Sequence, residues 1–378
     1  MLVFEFKVKA TIQQQKAINE AIRVGQFIRN KCLKLWMDSP REDKVNGMTL
    51  NKYTKVLADD PNYPWVNTLN SMARQSSAER AWSSISRFYD NCKKGIPGKK
   101  GYPKFKKFSR SVEYKTCGWK LSDERKYLTI TDKTGIGKLK LIGSRSLSFY
   151  DRALIKRVRL IKRADGYYAQ FCINLARTEV LESTGLEVGI DVGLASFYTD
   201  SEGNKVENPR YLRKSEKRLK RLQRRLSKRY KRGKKQSNNY HKQRKKVAKL
   251  HLKISRQRKD FAVKTARALV RSNDAVVYEE LKVKNMVKNR RLAKSISDAS
   301  WSMFTDWLDY FGQIHGRFVY AVPPHYTSQK CSNCGEIVKK SLSVRTHVCS
   351  CGCVLDRDEN AAKNILEKGL KYRGAHGN

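Results

Sequence analysis

The sequence predicts a multidomain α+β protein: a small β-barrel interrupted by a helical domain, then an α/β domain with a basic helical hairpin and an inserted zinc ribbon. Three observations predict this. Short runs such as LVFEFKV at residues 2–8 and IKRVRLIKR at 155–163 alternate with the period of half-buried strands. Longer segments repeat apolar residues at helical spacing. Five of the nine cysteines crowd into residues 331–353. A chain of 378 residues has room for two or three such domains.

Composition narrows the function. Lysine and arginine number 81 against 35 acids, a formal net charge of +46. A folded chain with that charge repels itself, and nucleic acid is the counter-charge that fits, because binding phosphate releases counterions. A membrane surface is the rival, but no run is long enough to span a bilayer and no signal-peptide core is present. Ribosomal and histone-like proteins share the charge but are seldom this long and carry no constellation of acids. Clustered cysteines indicate a metal site in a reducing compartment, and the scattered Cys32, Cys92, Cys117 and Cys172 read as small core residues.

In order, residues 2–8 form a strand. A helix follows from Thr11, with Ile12, Ile18, Ile22, Phe27, Ile28, Leu33 and Trp36 on its apolar face, and Ser39-Pro40 stops it. A shorter helix covers 50–57. A third runs from about Val66 to Tyr89, with Leu69, Met72, Trp82, Ile85 and Phe88 inward. Asn70, Arg74 and Gln75 on this helical unit could face a duplex or lie on a solvated face. Residues 93–107 are a Gly-, Pro- and Lys-rich linker in which Tyr102 and Phe105 interleave with lysines such as Lys104, a pattern suited to nucleic acid. Strands SVEYKTC, KYLTITD, KLKLIG, IKRVRLIKR and YYAQFCINL follow, the last two joined by a turn at Ala164-Asp165-Gly166. With the first strand they could close a barrel.

From Leu186 the pattern changes to three short strands, VGIDVG, ASFYTD and KVE. Between Arg210 and Lys259 there are 24 lysines or arginines and one acid, Glu216. Leu219, Leu222 and Leu226 share one helical face, and Val247, Leu250 and Ile254 another, giving a helical hairpin with a narrow seam and a turn at 233–239. The near absence of acids leaves no pairing within the block. Its cations, Lys220, Arg224, Lys228 and Arg232 among them, are assigned to nucleic-acid backbone. A helix at 261–272, the strand AVVY, an amphipathic helix with Trp301, Phe304, Trp307, Leu308 and Phe311, and the strand RFVYAVPP complete this stretch.

Cys331 and Cys334, two residues apart, and Cys349 and Cys351, one apart, match a structural zinc ribbon with four thiolates and no open position. Cys353 is an alternative fourth ligand and His347 a weaker one. Three acids sit where a ribonuclease H-like sheet would gather them. Asp191 lies on the first strand, Glu279 ends AVVY, and Asp358 immediately precedes a helix at 360–366. Two hard cations beside a scissile phosphate require carboxylates packed in this way. Each acid alone reads blandly, as a turn residue, a surface acid and a helix cap. Glu279 and Glu280 point to opposite strand faces, so only one can join the site.

GIDVG with Asp191, VVYEEL with Glu279, YTSQKCSNCG, and CGCVLDRDENAAKNI with Asp358 resemble the TnpB family of transposon-encoded, RuvC-type nucleases, relatives of compact type V CRISPR effectors. The motifs span Leu186 to the end, and the first part matches in architecture. The resemblance implies an RNA-guided DNA endonuclease that binds a guide RNA from the transposon end, reads a short motif beside a double-stranded DNA target, and cuts both strands at one RuvC site. It implies magnesium, or manganese, held by Asp191, Glu279 and Asp358, and zinc held by Cys331, Cys334, Cys349 and Cys351, with Arg357 on phosphate. Many members have two residues inside the second cysteine pair, where this chain has one. The expected domains are a wedge-like barrel (1–9 and 102–182), a helical recognition domain with linker (10–101), a RuvC-like domain (183–322 and 354–378) with the hairpin 210–259, and the ribbon (323–353). A cytoplasmic, nucleoid-associated location with no membrane partner follows. The alternatives are a small CRISPR-associated relative, a cleavage-inactive RNA-guided binding protein, and a strand-transfer transposase.

Overall fold

The computed structural model describes residues 2–341 and 343–376. Met1, Leu342, Gly377 and Asn378, which fall in the segments read as barrel, ribbon and nuclease domain, lie outside the described residues. The chain divides into two units, Met1–Arg177 and Thr178–Asn378.

In the first unit β1 (Leu2–Lys9) leads into α1 (Ile12–Asp38). A reciprocal box opens this helix: the Gln14 amide donates to the Thr11 hydroxyl, and the Thr11 amide donates to the Gln14 side chain. Ile18, Ile22, Ile28 and Leu33 are buried, whereas Ile12, in the exposed first turn, is not. α2 (Gly47–Asp59) is capped by Asn46 and α3 (Ser71–Lys93) by Asn70. The third helix therefore starts later than its apolar period suggests. Pro64–Thr68 form a separate 3-10 turn, and the Asn70 side chain satisfies the first free amide of α3.

β2 (Ser111–Lys115), β3 (Trp119–Leu121), β4 (Tyr127–Ile130), β5 (Gly137–Ile142), β6 (Ile155–Arg163) and β7 (Gly166–Ile173) join β1 in an antiparallel sheet ordered β2-β6-β7-β1-β5-β4-β3. The expected barrel is a half-barrel: β2 and β3 are its edges, and no pairing joins them among the described residues. Three residues of β3 are too few to complete a staggered closure, and α1 and α3 pack against β2. Glu113 on β2 is 4% exposed and is held by Arg159 at 2.6 Å, Arg157 at 2.9 Å and Arg80 at 3.6 Å. Of the scattered cysteines Cys32 and Cys172 are buried, but Cys92 and Cys117 are exposed and are not core residues. Cys92 lies in the last turn of α3 and Cys117 in the turn between β2 and β3.

In the second unit β8 (Glu187–Val192), β9 (Ser196–Asp200) and β10 (Lys205–Glu207) form an antiparallel meander. α4 (Tyr211–Ser227) and α5 (Asn238–Ser272) follow, then β11 (Ala275–Glu279), α6 (Val283–Met286), α7 (Ala293–Ala299), α8 (Trp301–His315), β12 (Phe318–Val322), β13 (Thr346–Val348), β14 (Val354–Asp356) and α9 (Arg357–His376). The main sheet has the order β10-β9-β8-β11-β12, with β11 parallel to both β8 and β12. Asp274 pins the entry to the parallel strands. Its carboxylate accepts from the Thr184 amide at 2.8 Å and the Gly185 amide at 2.9 Å, and from Ser183 and Arg317. These partners hold its carboxyl well below the usual range, the Ser183 hydroxyl most of all.

The predicted helix at 261–272 is the end of α5, which runs unbroken for 35 residues. No Gly or Pro interrupts it. Its first half forms the seam with α4 through Leu219, Val247, Leu250 and Ile254. Its second half buries Ala262, Ala266, Leu269 and Val270 with Phe197, Phe304 and Val276 of the sheet core. Trp301, Phe304, Leu308 and Phe311 of α8 lie in that core, and Trp307 at its margin. No described helix is long and apolar enough to cross a membrane.

Candidate active site and cysteine cluster

The acids meet because of how α9 lies on the sheet. Gly189 of β8 faces this helix so closely that a methyl group there would overlap the Ala362 carbonyl and the Leu366 backbone. Two residues further along the strand, on the same face, is Asp191. That step advances about 6.6 Å. Stepping back four residues along the helix, from Ala362 to Asp358, moves about 6 Å. The two carboxylates therefore come level at the carboxyl end of β8. Val277, paired in register with Gly189, packs against Gly369 of the same helix. Alternation then places Glu279, and not Glu280, on the α9 face.

The electrostatics agree. Burial, then the charges of Glu279 and Asp358, push the Asp191 carboxyl well above its usual range, with Asp356 adding to the effect and Arg357 opposing it. Asp358 does not cap its helix. α9 begins at Arg357, so Asp358 lies in its first turn and not before it. The cap is Asp356, whose carboxylate accepts from the Asp358 amide at 2.8 Å and the Glu359 amide at 3.4 Å. Lys205 pairs with Asp356 at 2.6 Å, and Arg345 approaches Asp358 at 3.8 Å. Thr327, 4% exposed, donates its hydroxyl to Glu279. The roles of Asp356, Lys205 and Thr327 are not evident in the sequence. Only the neighbouring acids Asp356 and Asp358 carry a local signal, the Asp-x-x spacing of a helix cap.

The donor set suits a hard divalent cation. Glu279 and Asp358 stand near enough to Asp191 for their charges to raise its carboxyl, although among the described residues only the cysteines bring their ligand atoms within 4.8 Å of one another, and oxygen ligands are what such ions take. The cysteines form a second group. The Sγ atoms of Cys331, Cys334, Cys349 and Cys351 all lie within 4.8 Å of one another. The pairs Cys331–Cys351 and Cys334–Cys349 stand at 3.8 and 3.6 Å. Zinc–sulfur bonds of about 2.3 Å in a tetrahedron require edges of about 3.8 Å. The fourth member is Cys351. Cys353 and His347 are not in the set, and the Cys353 carbonyl instead accepts from the Cys349 amide at 3.0 Å. Burial resists ionisation of Cys331, but the amides of Cys334 and Asn333 outweigh it and bring the thiol down to about 5. The Glu336 amide favours a Cys334 thiolate, yet the sulfurs of Cys351 and Cys349 hold it up at about 12.

Residues 170–290 match the OrfB_IS605 family model, described as "Probable transposase", and residues 301–365 match that of the Cas12f1-like TNB domain. Together these matches carry GIDVG, VVYEEL and both cysteine pairs. Over those residues the chain is similar to both families. Its relatives include a Streptomyces pristinaespiralis protein named "Putative RNA-guided DNA endonuclease", 42% identical over 190 residues, or 50% of this chain and 46% of that one. The chain thus matches about half the length of that relative. Escherichia coli K12 has "Putative RNA-guided DNA endonuclease InsQ", 29% identical over 84% of this chain and 76% of its own. Acanthamoeba polyphaga mimivirus has "TnpB-like protein L79", 36% identical over 32% of this chain and 25% of its own. A solved Cas12f1–sgRNA–target DNA complex shares the fold, with a TM-score of 0.55 at 14% identity over 94% of this chain and 83% of the effector.

The remaining candidate residues are scattered. Asn70 caps α3 and bonds the Thr131 carbonyl, Arg74 bonds the Asn67 side chain, and Gln75 is half-buried. Tyr102 is half-exposed against Trp36 and Phe88, with ring centroids at 5.6 and 5.2 Å, and Lys104 beside it is exposed. Lys220, Arg224 and Lys228 line one shallow depression of about 470 Å³ on α4, with Lys220 paired to Glu216 at 3.0 Å. Arg232 is exposed on the hairpin turn, and Arg357 stands in the first turn of α9.

Proposed function

We propose that this chain is an RNA-guided DNA endonuclease encoded by an insertion-sequence-type transposon. One site, built on Asp191, Glu279 and Asp358, cuts both strands of a duplex chosen by base pairing with a bound guide RNA. The observation that supports the reading is that burial and the charges of Glu279 and Asp358 raise the Asp191 carboxyl, on a chain of net charge +46. The names of the Streptomyces and Escherichia relatives support it.

Asp191, Glu279 and Asp358 hold magnesium, with manganese as a substitute. When bound, the cations supply a coordinated water nucleophile and offset charge on the leaving oxygen. The chain's own work is positional. The sheet fixes Asp191 and Glu279, and α9 presents Asp358. Lys205 neutralises Asp356, so the helix cap does not add its full charge to the site. Cys331, Cys334, Cys349 and Cys351 hold a structural zinc. In the division of labour, residues 1–9 and 102–182 form the wedge, 10–101 the recognition unit, 183–322 and 354–378 the nuclease, and 323–353 the ribbon. The hairpin 210–259 holds nucleic-acid backbone. Work on DNA and RNA places the protein at the nucleoid.

The test is purification with copurifying RNA sequenced, followed by cleavage of a matching duplex. Asp191→Ala abolishes magnesium-dependent cleavage while RNA remains bound. Cleavage that survives this change removes the site. The "Probable transposase" description of the matching family favours a second reading, strand transfer. Joined rather than merely cut products would establish it.

A further inference from the structure

We propose that Thr327 is a positioning residue for Glu279, held by a short strap that α9 ties to the cysteine cluster. The inference rests on the nuclease reading above. Thr327 follows β12 and is almost fully buried, and its hydroxyl donates to one carboxylate oxygen of Glu279. A carboxylate has two oxygens. Engaging one by a fixed donor limits the carboxylate's rotation and leaves the other oxygen for a cation shared with Asp191, whose carboxyl feels the Glu279 charge.

The donor is itself fixed. The side chain of Asn364, 1% exposed, donates to the Thr327 carbonyl at 2.8 Å and to the Lys330 carbonyl at 2.7 Å. Asn360, fully buried one turn earlier on α9, donates to the same Lys330 carbonyl at 2.8 Å and accepts from the Ser332 amide at 3.0 Å. Cys331 lies between these two anchored residues. One helix therefore carries Asp358, clamps the backbone on both sides of a cysteine of the cluster, and sets the hydroxyl that orients Glu279. Burying a polar side chain is costly unless it is hydrogen-bonded: Asn360 uses both ends of its amide, while Asn364 spends its nitrogen on the two carbonyls and leaves its oxygen unpaired. The cysteine cluster is thereby linked to the carboxylate site through residues 327–331, and a loose cluster would slacken the strap.

The test uses the full-length, zinc-replete protein with its copurified RNA. Manganese binding is followed by the electron paramagnetic resonance of free ion, and target cleavage is followed in parallel. Thr327→Val, which keeps the shape and loses the donor, should weaken manganese binding and slow cleavage by about 10- to 100-fold, the usual effect of removing an outer partner of a ligand. Thr327→Ser, which keeps the hydroxyl, should restore both. A Thr327→Val protein that binds manganese as tightly as the parent overturns the proposal, and so does a Thr327→Ser protein as impaired as the valine variant. If the valine variant misfolds, Thr327→Ala removes the donor by leaving space and is read in the same way. Asp191→Ala separates the two levels. If it still cuts, the nuclease site is misassigned. If it is inactive while Thr327→Val is unimpaired, only the strap inference fails.

Discussion

Two acids sit inside this molecule in opposite company. Glu113, in the seven-stranded sheet of the first unit, is ringed by Arg80, Arg157 and Arg159. Burial alone would raise its carboxyl, but hydrogen bonds from Arg157 and Arg159 and the charge of Arg80 bring it below the usual value. Asp191, in the five-stranded sheet of the second unit, faces other acids, and its carboxyl is raised. A buried charge is tolerated when it is paired, and an unpaired one is a liability. The first unit resolves that liability internally. The second leaves it open, which is what a site for an added cation looks like. The cysteine cluster repeats the second pattern with sulfur in place of oxygen.

The comparison can be broken most severely at the cysteines. Cys351→Ser should lower zinc content from about one ion per chain to near zero and remove most of a binding free energy on the order of 10 kcal/mol. Cys353→Ser should retain the ion. Metal analysis of the two purified variants checks this, and equal zinc loss in both would refute the assignment of Cys351.

The next effect is at Glu113. Glu113→Gln should destabilise the first unit by about 3 kcal/mol in denaturant unfolding, the low end for a broken buried pair, because the three arginines that lose their buried partner are themselves partly exposed and screened by solvent. The sign with pH follows from the lowered carboxyl. Its stabilisation is complete above the unfolded value of about 4.3 and is lost as pH falls through the lower folded value. The gap between parent and variant should therefore close in acid. A gap that widens as pH falls would reverse the comparison.

The smallest effect sharpens the contrast. Magnesium at about 100 times its dissociation constant should stabilise the parent by about 2.7 kcal/mol and raise its melting temperature by several degrees. Asp191→Asn should show no such rise. Without divalent ions this variant should melt no lower than the parent, since it removes a charge that burial opposes.

Much of this was readable before any coordinates. The three-strand meander shows in VGIDVG, ASFYTD and KVE because each run alternates between definite turns, and Glu279 and Asp358, distant in the chain, are near enough to act on Asp191 by charge. What was hidden depended on distance or on weak local signals. β3 has two apolar residues, too few to display a period. The continuity of α5 was masked because its apolar stripe changes partners midway, from α4 to the sheet. Closure of the first sheet depends on the fit of edge strands far apart in sequence, which no local pattern records. Asn70 and Arg74 read as exposed polar residues, whereas one caps a helix and the other bonds Asn67 in the preceding 3-10 turn. Thr327 offered no signal, because its meaning depends on Glu279, which lies 48 residues earlier.

The absent side chain at Gly189 acts as a caliper. Strand and helix touch backbone to backbone there, so the gap between them is the width of a hydrogen atom. Any substitution, even to alanine, would pry α9 off the sheet and carry Asp358 with it, parting that acid from Asp191 without altering either one. The spacing of the two acids is thus set two residues away from Asp191.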